Sequence, residues 1–86
     1  MTQKEKENFI EAANFCIKGC QYSIDDIHED NIAPGNCVLL VYTGNGICLL
    51  GEYIPNNGFF RHEIVKGKFT DSLSKINDVI GWMLIK

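Results

Sequence analysis

Long apolar runs and clustered basic charge are the two features this chain most clearly lacks. No apolar stretch approaches the ~20 residues needed to cross a bilayer, and the N-terminus has no basic-then-apolar layout of the signal-peptide kind. A cytoplasmic protein without membrane contact is therefore expected. Eight Lys and Arg against eleven Asp and Glu leave a net charge of -3. The basic residues, Lys4, Lys6, Lys18, Arg61, Lys66, Lys68, Lys75 and Lys86, are scattered, so direct nucleic-acid binding is not expected. The densest acidic run, Asp25, Asp26, Glu29 and Asp30, is too small for a nucleic-acid mimic and reads as a solvated turn that a protein partner could touch.

Signatures of catalysis and cofactor binding are missing too. Gly44-Asn45-Gly46 has neither the G-x-G-x-x-G spacing nor a following Lys-Ser or Lys-Thr. Its flanks both read as strands, whereas a phosphate cradle needs a helix N-terminus. The loop reads as a turn, and no cofactor is expected. Four cysteines, Cys16, Cys20, Cys37 and Cys48, occur without a Cys-x-x-Cys knuckle. They read as reduced, small hydrophobes. Together with His28 and His62 they leave a metal- or small-ligand-binding protein as an alternative function. Ser23, Ser72 and Ser74 lack the Gly-x-Ser-x-Gly elbow. His62 and Glu63, adjacent on a strand, point to opposite faces, while Arg61 and Glu63 share one and read as a surface salt bridge. A non-enzymatic protein is expected.

What the chain does contain is the pattern of one small α+β domain over residues 1–86. Eighty-six residues support a single core, burying roughly 60–65% of the unfolded surface and leaving little to line a deep pocket. Thr2 to Glu5 spells a capping box, and Phe9, Ala13, Cys16, Ile17 and Cys20 fall on one helical stripe. A helix is predicted over 2–18, with Gly19 as terminator. Residues 19–36 read as a connector with one helical turn near Ser23 to His28, laid against the core by Tyr22, Ile24, Ile27 and Ile32. Residues 37–86 read as a mostly antiparallel β-meander of three to five strands. Asn45-Gly46 and Pro55-Asn56-Asn57-Gly58 supply its reversals. Residues 69–78 are polar enough to read as a loop or a short helical turn, and 79–85 as a buried last strand. A half-open barrel with the same strand order is the alternative.

Aromatic residues are the remaining functional lead. Tyr22, Tyr42, Tyr53, Phe59, Phe60 and Trp82 are more than a thin sheet needs to bury, and aromatics anchor protein interfaces. If the sheet face opposite the helix is uncovered, Tyr42, Leu40 and Leu49 form an apolar patch on it, suited to a partner or to a homodimer. Tyr42, Tyr53, Leu40 and Leu49, with the acidic Asp25, Asp26, Glu29 and Asp30, are the candidate interaction residues. A self-assembling structural domain is a further alternative.

The order Pro34, Val38-Leu39-Leu40-Val41-Tyr42, Gly51-Glu52-Tyr53 and Trp82-Met83 resembles the domain-of-unknown-function 551 family of small phage and prophage proteins, over roughly residues 22–84. Tyr22 stands where that family has tryptophan, Gly81 replaces the histidine before Trp82, and Leu84 and Ile85 replace a proline-rich ending. The resemblance implies an accessory protein in a bacterial host cell that binds a host or phage protein stoichiometrically, inhibition of a host-defence protein being one form of this.

Overall fold

Thr2 sets the start of the first element. In the structure, a computed structural model describing residues 1–86, the Thr2 hydroxyl accepts the Glu5 N–H at 3.1 Å and the Glu5 carboxylate accepts the Thr2 N–H at 2.7 Å. This reciprocal cap satisfies two orphan donors at the start of helix α1, Gln3–Cys16. The helix ends two residues earlier than the sequence predicts, because Ile17 already has extended backbone angles. Gly19, at φ +85°, belongs to the turn beyond. Phe9 and Ala13 are fully buried, while Cys16, expected on the same stripe, is exposed and Phe15 is 82% exposed. The buried stripe is thus narrower than the spacing suggested.

Five strands follow: β1 Val38–Thr43, β2 Cys48–Ile54, β3 Gly58–Val65, β4 Lys68–Lys75 and β5 Val79–Leu84. They form one antiparallel open sheet in the order β4-β3-β2-β1-β5, so the fold is α+β. The Gly-Asn-Gly loop is a turn: Thr43 and Gly46 share a backbone hydrogen bond of 3.0 Å, and Gly46 takes φ +82°. Asn56 at φ 67° and Gly58 at φ 110° turn the chain from β2 into β3.

The polar stretch 69–78 corrects the sequence reading, since most of it lies in strand β4. Lys66 at φ 52° and Gly67 at φ 76° make a tight reversal whose twist suits a hairpin, and pairing with β3 then outweighs the weak strand propensity of Thr-Asp-Ser-Leu-Ser.

Strand β1 lies inside the sheet between β2 and β5, and from Leu39 to Thr43 it is buried on both sides. Its Leu40 and Tyr42 meet the helix in one cluster with Phe9, Ala13, Tyr22 and Met83. Its odd-numbered residues join a second cluster on the opposite face, Ala33, Leu39, Val41, Tyr53, Phe59, Ile76 and Trp82. The connector is shared between the faces: Tyr22 and Ile27 pack on the helix side and Ala33 on the second. A single 3-10 turn, Ile24–Asp26, leads to His28, which exchanges two 2.9 Å backbone hydrogen bonds with Trp82 on the outer edge of β5. His28 also stacks on the Trp82 ring at 4.3 Å, and the indole N–H reaches the Asp30 carbonyl at 2.9 Å.

The patch expected of Tyr42, Leu40 and Leu49 therefore does not form. Leu40 and Tyr42 lie beneath α1, whereas Leu49 opposes Val41 and packs on the other cluster. The face opposite the helix is not bare, because residues near Ala33 and Ile76 close over it.

Candidate protein-contact site

The helix covers only part of its face of the sheet. On the same face, toward β4, a groove of about 430 Å³ runs between the body of the sheet and the β3–β4 hairpin. Val38, Leu50 and Phe69 supply its apolar surface, and Glu52, His62, Thr70 and Asp71 its polar side. Side-chain alternation explains the grouping. Glu52 pairs with Phe60 across the β2–β3 ladder, so His62, two residues on, is its diagonal neighbour on the same face.

A bulge completes the polar side. Between the pairs His62–Leu73 and Ile64–Phe69, Glu63 alone on β3 is opposed by Thr70, Asp71 and Ser72 on β4. Extra residues of this kind bend a strand and redirect its polar groups. Here the Thr70 carbonyl turns to His62 Nδ1 at 2.9 Å, while the Thr70 hydroxyl donates to the Glu63 carbonyl at 3.1 Å and accepts the Ser72 N–H at 3.2 Å. The other ring nitrogen, His62 Nε2, lies 2.9 Å from Glu52 Oε2.

A carbonyl and a carboxylate can only accept, so both contacts are satisfied together when both ring nitrogens carry protons. The bond to the Thr70 carbonyl, followed by that to Glu52, accordingly raises the His62 pKa above its ordinary value of 6.5. Through these two contacts the His62 ring links three strands, from β2 through β3 to β4. Both ring nitrogens face acceptors, and the Thr70 hydroxyl beside them is engaged with the Glu63 carbonyl. Structurally the arrangement is a clamp.

The sequence-derived residues are dispersed. Tyr53 is buried against Phe59, their rings 5.2 Å apart edge to face. Asp26 accepts the Ser23 N–H at 2.8 Å and pairs with Lys86 at 2.9 Å, and those bonds, Ser23 first, lower its pKa. Glu29 pairs with the Met1 ammonium and, at 3.9 Å, with Lys6, so its pKa is also lowered. Asp25 and Asp30 make no ion pair. Two carboxylates of the acidic run thus hold chain segments together, and two make no ion pair.

The expected Arg61–Glu63 bridge is absent, and Glu63 accepts instead from the Ser74 hydroxyl at 2.6 Å. All four cysteines are free thiols, and burial pushes Cys48 up to about 11. No three His, Cys, Asp or Glu side chains converge as metal ligands would.

The Glu52–His62 pair is the feature that sequence reasoning missed. Its signal was present: once the turn at Asn56 to Gly58 fixes Ile54 opposite Gly58, the diagonal contact follows from counting along two strands. No helix is long and apolar enough to cross a membrane. No family model, curated protein or solved structure matches this chain.

Proposed function

We propose that this protein works by stoichiometric contact with another polypeptide, without catalysing a reaction, and that the groove and its bordering β3–β4 hairpin are the contact surface. One observation carries this reading. Val38, Leu50, Phe69 and Leu73 border one side of the sheet beside the helix, yet each is exposed, Phe69 to 70%. Scattered exposed hydrophobes are ordinary, but a contiguous set beside a groove marks an interaction surface. Strand β4 is also a sheet edge, so its outer backbone groups are open to an added strand.

The resemblance to small phage and prophage proteins supports a host or phage protein as the partner, a host-defence protein included. The acidic connector, with two of its four carboxylates engaged within the chain, is a weaker contact surface than the groove.

The test compares capture of a partner from bacterial host lysate by wild type, by Phe69→Ser with Leu73→Ser, and by Phe15→Ser on the far side of the helix. Loss of a stoichiometric partner in the groove variant alone is expected. Equal capture by all three would sink the assignment of the surface, and capture by none would sink the function.

A further inference from the structure

The groove has one apolar wall and one uncompensated charge. His62 pairs with Glu52, which leaves the Asp71 carboxylate as the lining charge without an ion pair. A ligand that suits it carries apolar groups beside a cation. The same chain displays such a segment at the outer end of its hairpin. Ile64 and Val65 are 61% and 54% exposed there, and neither Lys66 nor Lys68 makes an ion pair. The reversal at Lys66-Gly67 holds this tip in a defined shape, which reduces the entropy lost on docking.

We infer that a second copy of this chain occupies the groove, with the Lys66–Lys68 tip of each protomer docked beside Asp71 and Glu52 of the other. The contact is reciprocal, as a two-fold interface requires: tip meets groove twice. The inference rests on the contact reading above and names the chain that fills the surface. A host or phage partner using the same groove displaces the second copy.

Sedimentation and light scattering over a wide concentration range, on the purified full chain, test this. Wild type is expected to pass from monomer to dimer. Lys66→Asp with Lys68→Glu, and separately Asp71→Lys, are each expected to raise the dissociation constant about tenfold to a hundredfold. All three lysine and aspartate changes combined restore opposite charges across the interface and are expected to recover most of the lost association. Circular dichroism of each variant confirms that these exposed substitutions leave the fold intact. A wild type that stays monomeric throughout, single variants that dimerise normally, or a combined variant no better than either parent would each overturn the inference. Partner capture from lysate is read independently, so a monomer that still captures a partner refutes the dimer alone.

Discussion

The ring of Phe9 lies stacked on the ring of Tyr42, with centroids 4.9 Å apart and planes 17° from parallel. This pair fastens α1 to β1, and both side chains are shut away from water.

Phe9→Ala removes the stack and leaves a cavity beside Leu40 and Met83. Such truncations cost about 3–5 kcal/mol, a large share of the roughly 5–15 kcal/mol that holds a small domain together. The urea midpoint is expected to fall steeply or the fold to be lost, while Phe15→Ala, on the exposed side of the same helix, moves it little. Equal effects from the two changes would show that the helix is packed differently.

Gly51 supplies a second comparison. A Cβ there would lie 2.8 Å from the Phe60 carbonyl oxygen and 2.9 Å from Ile76 Cδ1, so either the β2–β3 ladder or the covering segment must move. At Gly35 the nearest atoms, on Pro55 and Tyr53, stand at 3.7 Å, an ordinary contact. Thermal unfolding is expected to show Gly51→Ala destabilised by about 1–3 kcal/mol and Gly35→Ala close to wild type.

The sequence made half of this architecture legible, and the reasons are local. Thr2 and Glu5 announce the cap, and the glycines at 46 and 58 announce the reversals, because each depends on residues only a few positions apart. Strand β4 was hidden, since Thr70 to Ser74 has little strand preference and is held by its partner β3. The face assignment failed for a related reason. Alternation in β1 shows that Leu40 and Tyr42 share a side, but the side that receives the helix depends on Met83, more than forty positions away.

The candidate site was still less legible. Tyr42 and Leu40 attracted notice as aromatic and apolar groups, and they are core. Val38, Leu50 and Phe69 are just as apolar, and only the limited reach of a fourteen-residue helix leaves them open.

His62 gives a pH-dependent prediction. Its two acceptors raise its pKa above 6.5 in the folded chain, with Asp71 adding a smaller electrostatic pull. A group raised on folding lends its full stability below the unfolded value and loses it as pH climbs through the folded one. The gap in urea midpoint between wild type and His62→Gln is therefore expected to be widest below pH 6.5 and to shrink as the pH rises past it. A gap that stays constant with pH, or widens as pH rises, would mean that the ring is not held doubly protonated.

The place of β5 beside β1 bears on how the molecule is made. Leu39 must wait for Leu84 and Val41 for Trp82, so β1 gains its second neighbour only when β5, the last of the five strands in chain order, has been made. Until then α1 has only half its floor, for Met83 belongs to that late strand. Hairpins β1–β2 and β3–β4 can form during synthesis from neighbouring residues, but the helix locks down only once β5 has joined the sheet, in one late closing event.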